Sequence, residues 1–195
     1  MSAVNERYTA IAIALHWLIA AAIIVQLASG LWMADAIDDP ATQALAFQVY
    51  QWHKSLGLTV LILSLLRLFW RLGHRAPGLP EGMKPWERLA AYATHVFFYA
   101  IMILMPLTGW VMVSASKFGL PTLYWGLFTW PHLPLGSLAL ETKAQVEEIF
   151  GSVHEFLAYG TIALLVLHVG AALKHHFVER DGVLARMLPF LKRTA

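Results

Sequence analysis

Residues Ser152–His176 read SVHEFLAYGTIALLVLHVGAALKHH. This stretch is apolar enough to cross a membrane, yet it carries His154 and His168. The two are fourteen residues apart. At about 100° per residue, that interval is roughly 40° short of four full turns, so both rings project from one helix face. They are separated along the axis by about 21 Å, most of a hydrocarbon core of ~30 Å. An ionisable ring inside a bilayer is costly and marks a functional candidate. Two on one face, one towards each side of the membrane, point to two stacked sites.

The rest of the chain has the same character. Of 195 residues, 58% are hydrophobic and only 13% charged, which is the composition of an integral membrane protein. A single bundle spanning residues 1–195 is expected. The net charge of +2, with basic residues clustered beside apolar runs, argues against nucleic acid as a partner. The absence of cysteine excludes disulfides, thiolate nucleophiles, cysteine-ligated iron–sulfur clusters and covalent c-type haem attachment.

Four spans are predicted, at about residues 8–34, 50–72, 89–116 and 152–176, giving an all-α four-helix membrane bundle. Ala34-Asp35-Ala36 resembles a signal-peptidase site, but the uncharged run before it is far longer than a signal h-region. A retained helix is expected. The second span holds only if Lys54 and Arg67 reach out to the interface. Pro106 kinks the third, as membrane helices tolerate. Leu120–Gly136, rich in aromatics between prolines and glycines, suits an interfacial segment. Ser137–Phe150 is expected as a short surface helix.

Arg67, Arg71, Arg75, Lys84 and Arg88 mark the second connection. Lys174, Arg180, Arg186, Lys192 and Arg193 mark the tail. By the positive-inside rule both termini lie in the cytoplasm, so spans one and three run outward. His16 and His168 then share the cytoplasmic level, and His53 and His154 share the outer one. Bis-imidazole ligation of a non-covalent haem needs such a pair from facing helices. Small residues follow one turn after each ring, at Ala20, Gly57, Ala158 and Ala172, where a flat macrocycle needs a gap. The alternatives are ordinary hydrogen-bonded bundle histidines, or zinc or copper. Structural zinc wants four ligands in one place, and these split two and two.

Arg67 is fourteen residues beyond His53 and so lies on its face at the depth of the cytoplasmic pair. It is expected, with Arg71, to pair with the carboxylates of the inner haem; the alternative is a mere positive-inside boundary. His95 has a structural role as its first reading, with contact to a propionate or a quinone oxygen as the functional one. His74, His132, His175 and His176 are read as solvated, and Glu155 as a surface residue. Met33, Met102, Met105 and Met112 are read as packing.

The chain resembles the bacterial cytochrome b561 family over nearly its whole length. The resemblance rests on LHW at Leu15–Trp17, HKSLG at His53–Gly57, RLFWRL at Arg67–Leu72 and PLTG at Pro106–Gly109. It extends to HE at His154–Glu155, LH at Leu167–His168, and HHF with LARMLP towards the tail. It implies a four-helix bundle in the bacterial plasma membrane with two b haems, ligated by His16 and His168 and by His53 and His154. The expected function is electron transfer between an unidentified periplasmic donor and the membrane quinone pool, with ubiquinone as the candidate quinone. A sharper version makes the protein an enzyme that oxidises superoxide and reduces quinone. The acidic excess of Asp35, Asp38, Asp39, Glu141, Glu147 and Glu148 on the outer connections counts against an anionic substrate there, though Lys54 beside His53 supplies a local positive charge. Two other classes compete: an anchor subunit of a membrane dehydrogenase, and a non-redox transporter using the histidines. The lack of Asp, Glu or Lys in mid-span disfavours the transporter.

Overall fold

The structure, a computed structural model, describes residues 7–80, 82–188 and 190–191. Lys192 and Arg193 of the basic tail lie outside the described residues. Four helices dominate: α1 (Ala10–Ala36), α2 (Gln43–Gly73), α3 (Pro85–Ala115) and α4 (Leu140–Lys174). All four are long and apolar enough to cross a membrane. A small antiparallel hairpin, β1 (Thr122–Tyr124) and β2 (Phe128–Trp130), lies between α3 and α4.

Burial is inverted relative to a protein that folds in water. Large apolar side chains such as Leu18, Phe69, Leu89 and Val166 face outward, while the interior holds Ile19, Leu58, Val60 and Met102 with the small polar residues Ser55, Ser64 and Thr161. An outer surface this apolar is stable only against lipid tails. The close helix contacts run α1 on α2, α2 on α3 and α3 on α4. Neither α1 nor α2 packs closely along α4, and that gap is where the site lies.

Local chemistry fixes the helix ends. Thr9 Oγ1 caps α1 by accepting from Ala12 N–H at 3.3 Å. The same hydroxyl accepts from Trp70 Nε1 at 2.9 Å, tying the start of α1 to the end of α2. Pro85 opens α3, and Glu87 accepts from Lys84 N–H at 3.0 Å.

Two helices are longer than their apolar cores. The first connection is only Ile37–Thr42, because α2 already begins at Gln43. The surface helix expected at Ser137–Phe150 is instead continuous with α4 from Leu140. At 35 residues, α4 rises about 52 Å, so it must project well beyond a ~30 Å hydrocarbon core.

The hairpin docks sideways on α2. Trp125 and Gly126 both have positive φ, 50° and 73°, and Leu127 N–H closes the turn onto the Tyr124 carbonyl at 2.9 Å. A left-handed tryptophan is strained. It is held by its N–H on Ser55 Oγ at 3.1 Å and its Nε1 on Thr59 Oγ1 at 3.0 Å. Lys54 Nζ donates to the Pro121 carbonyl at 3.1 Å. Thr59 is six residues past His53, about 9 Å further along the axis, so the turn reaches deeper than that ring.

At the opposite end the tail folds back over the bundle. Trp17 Nε1 donates to the Met187 carbonyl at 2.9 Å, and Arg186 donates to the Gly78 carbonyl. Lys174 bridges Glu87 at 2.8 Å and Glu179 at 3.0 Å. His175, read from sequence as solvated, is buried, and its Nδ1 lies 2.5 Å from Asp181 Oδ2. The sequence gives no local sign of this: the π-helical turn at His175–Glu179 and the left-handed Arg180 bring Asp181 back to the ring. The bundle thus has a hairpin end and a tail end.

Candidate functional site

Each helix carries two candidate site positions fourteen residues apart, one at each level. On α4 these are His154 and His168, on α2 His53 and Arg67, on α1 Gly30 and His16, and on α3 Gly109 and His95. The interval keeps each pair on one helix face, so four helices present two layers of side chains to one interior.

At the hairpin end, the His53 and His154 ring centres are 6.3 Å apart with planes at 67°. At the tail end, His16 and His168 are 6.1 Å apart with planes at 66°. Two metal–nitrogen bonds of roughly 2 Å, with roughly 1 Å from each nitrogen to its ring centre, add to roughly 6 Å. Both pairs therefore have the spacing of two imidazoles on opposite sides of one metal ion. Among the described residues, no three His, Asp or Glu side chains converge as a metal cage. Pairs suit a metal whose other ligands come from a macrocycle.

Hydrogen-bond accounting fixes the hairpin-end rings. Ser29 Oγ lies 3.2 Å from both the Gln26 carbonyl and His53 Nδ1, so it accepts from the ring whenever Nδ1 carries the proton and its own proton goes to Gln26. Thr108 Oγ1 gives its proton to the Met105 carbonyl at 2.7 Å, so towards His154 Nδ1, at 2.9 Å, it also accepts. The Met105 carbonyl, 3.1 Å from the same Nδ1, is a second acceptor. His154 thus carries its proton on Nδ1 and leaves Nε2 free as a donor to metal, and Ser29 can accept from His53 in the same tautomer, the usual arrangement of a ligating imidazole.

Glycine lets these contacts form. A Cβ on Gly30 would stand 3.1 Å from His53 Cε1, and one on Gly109 would stand 3.3 Å from His154 Cε1. The Ser29-Gly30 and Thr108-Gly109 pairs therefore act alike on α1 and α3. Sequence reasoning missed both; the signal available was a hydroxyl–glycine dipeptide fourteen residues from His16 and from His95. Gly57, expected to open a gap for a macrocycle, is already faced by the Gln26 amide, 2.9 Å from its notional Cβ. Gln26 Nε2 also donates to the His53 carbonyl at 3.0 Å.

The tail-end site is built differently. Arg67 Nη1 lies 3.1 Å from His16 Nδ1. A guanidinium only donates, so in this arrangement Nδ1 accepts and the proton sits on Nε2. Coordination through Nε2 would require Arg67 to turn to another acceptor, which a carboxylate at the same level would provide. The guanidinium also lies 5.8 Å from the centre of the Tyr99 ring. Arg71 is exposed and donates to the His74 carbonyl at 3.3 Å. His95 stands 6.1 Å from His168, as close as His16 does, and Phe98 lies 5.3 Å away. His95 and His168 are on closely packed helices, however, whereas α1 and α4 are not in close backbone contact. His74 stacks on Trp70 at 3.8 Å.

Paired imidazoles at two depths in an apolar bundle are the mark of a haem-binding transmembrane electron carrier, a membrane cytochrome of the b type. Comparison with known proteins carries this further. Residues 7–190 match the profile of prokaryotic cytochrome b561, and the chain belongs to that family. It is 33% identical over 183 residues to cytochrome b561 homolog 2 of Escherichia coli K12, covering 94% of this chain and 92% of that one. It is 28% identical over 137 residues to cytochrome b561 homolog 1 of the same organism, covering 70% and 73%. It is 24% identical over 185 residues to a Yersinia pestis protein named probable superoxide oxidase CybB, covering 95% and 97%.

Proposed function

We propose that this protein binds two haems b and transfers electrons across the bacterial plasma membrane between a donor at the hairpin end and the membrane quinone pool. The observation that carries this reading is the presence of two histidine pairs, at 6.1 and 6.3 Å, stacked along α4. Bound haem supplies one-electron chemistry; the chain supplies ligation, burial and orientation. His16 and His168 hold the tail-end haem, and His53 and His154 the hairpin-end haem. Arg67, now 3.1 Å from His16 Nδ1, would pair with a carboxylate of the tail-end haem, with Arg71 supporting it from the helix end. No residue need act as a nucleophile or general base.

The basic second connection and tail support a cytoplasmic tail end, with both termini inside and the hairpin outside. Cysteines introduced at Leu127 and at Gly78 test this in intact cells. A membrane-impermeant thiol reagent is expected to label the first and spare the second, and the reverse pattern would invert the orientation.

The spectrum of the purified protein tests the central claim. Dithionite reduction is expected to produce b-type bands with about two haems per chain. A colourless protein from haem-replete cells would overturn it in favour of a non-redox transporter.

The finer version, superoxide oxidation with quinone reduction, draws on the name of the Yersinia relative. The acidic residues of the hairpin-end connections oppose anion attraction, and Lys54, though charged, is tied to the Pro121 carbonyl. Rapid mixing with superoxide distinguishes the cases: fast haem reduction supports it, and inert haems leave the general electron carrier. A stoichiometric dehydrogenase partner on affinity purification would favour the anchor-subunit reading instead.

A further inference from the structure

The two sites differ in what faces the far nitrogen of their imidazoles. At the hairpin end each Nδ1 proton points at an oxygen acceptor on a neighbouring helix: Ser29 Oγ at 3.2 Å for His53, and Thr108 Oγ1 at 2.9 Å for His154. Thr108 spends its proton on the Met105 carbonyl at 2.7 Å, and Ser29, 3.2 Å from the Gln26 carbonyl, can do the same. A histidine that ligates through Nε2 keeps its proton on Nδ1, so towards a ligating His53 or His154 each hydroxyl would act as acceptor. At the tail end the group on His16 Nδ1 is the Arg67 guanidinium, a donor and a positive charge.

An acceptor on the Nδ1 proton makes an imidazole more electron-rich and a better ligand for the oxidised metal. Hydrogen bonding of this kind is one of the levers a protein has on haem potential. We propose that Ser29 and Thr108 are positioning residues that hold down the potential of the hairpin-end haem by accepting the Nδ1 protons of its two histidines.

The geometry ranks the two hydroxyls. His53 Nδ1 has Ser29 Oγ as its acceptor, while His154 Nδ1 keeps the Met105 carbonyl at 3.1 Å if Thr108 is lost. Removing Ser29 Oγ should therefore matter more. Gly30 and Gly109 complete the device, since each lies beside its hydroxyl and lets the ring approach the helix within 3.1 to 3.3 Å of a notional Cβ.

The inference rests on the two-haem reading, and redox titration of the full-length, haem-loaded protein tests it separately. The hairpin-end component is identified as the one missing from His154→Ala. Ser29→Ala is expected to raise the midpoint potential of that component, and Thr108→Val to raise it less. The tail-end component should not move, and haem content should stay at the parent level. Thr108→Ser should restore the parent potential. If Ser29→Ala empties the site, Ser29→Cys decides, because a thiol is a weaker acceptor of nearly the same shape; it should give a smaller shift of the same sign. Two filled sites with an unmoved hairpin-end potential would overturn the inference and leave the haem assignment standing. Equal shifts in both components would overturn it too. A parent protein without haem would instead sink the two-haem reading.

Discussion

On the proposed two-haem reading, purified His168→Ala is expected to carry about one haem per chain, against about two expected for the parent. His16→Ala should lose the same haem, and the double variant no more than either single one. His53→Ala and His154→Ala should each remove the other haem. A cross-pair such as His53→Ala with His168→Ala should leave none. The pattern follows from the two ring pairs, 6.1 and 6.3 Å apart, lying about 21 Å from each other along one helix. Removing either histidine of a pair would leave the haem held by a single imidazole. His95→Ala is the informative control, because His95 is as near His168 as His16 is. Retention of both haems in His95→Ala, with loss of one in His16→Ala, supports the assignment. The opposite result would move the tail-end ligand from α1 to α3. Haem quantified against protein, with spectra before and after reduction, reads every case.

Bulk at the two glycines should empty the hairpin-end site selectively. Gly30→Leu and Gly109→Leu are each expected to reduce haem to about one per chain while the tail-end component keeps its spectrum. Even a methyl group at these positions would meet a ring carbon at 3.1 or 3.3 Å, closer than ordinary contact. A branched side chain starts from a Cβ already crowded against His53 or His154, so it is expected to displace the ring. Alanine should be milder, with haem retained and its bands broadened. Gly160→Leu is the matched control on α4, since a Cβ there meets nothing within 4 Å. Loss of haem from that variant, or full retention in both site variants, would remove the steric argument.

The four spans were legible because lipid imposes long apolar runs, and the histidine levels because a fourteen-residue interval fixes face and depth together. The helix ends were not. Gln43–Gln51 and Leu140–Gly151 are too polar to register as membrane segments, yet nothing breaks the helix there. Apolarity marks the solvent around a helix and says little about where its hydrogen bonding stops. The hairpin was hidden for another reason. Its strands are three residues each, and its partners are Gln51, Ser55 and Thr59 on α2, far away in sequence. Ser29 and Thr108 were hidden because a hydroxyl in a membrane helix ordinarily bonds back to its own turn, as Thr161 does to Leu157. His175 shows the limit of reading exposure from position near a terminus: its Asp181 partner follows a reversal of the chain that six residues of sequence do not announce.

The shared interval also limits how this bundle can change. One residue inserted between the two levels of any helix would turn its second functional position by about 100° and move it about 1.5 Å. A deletion does the same in reverse. Seven residues would nearly restore the face but shift the level by roughly 10 Å, out of step with the other three helices. The separation of the two sites can therefore be altered only on all four helices together. Length variation should collect in the connections and the tail, while the stretches His16–Gly30, His53–Arg67, His95–Gly109 and His154–His168 keep their count.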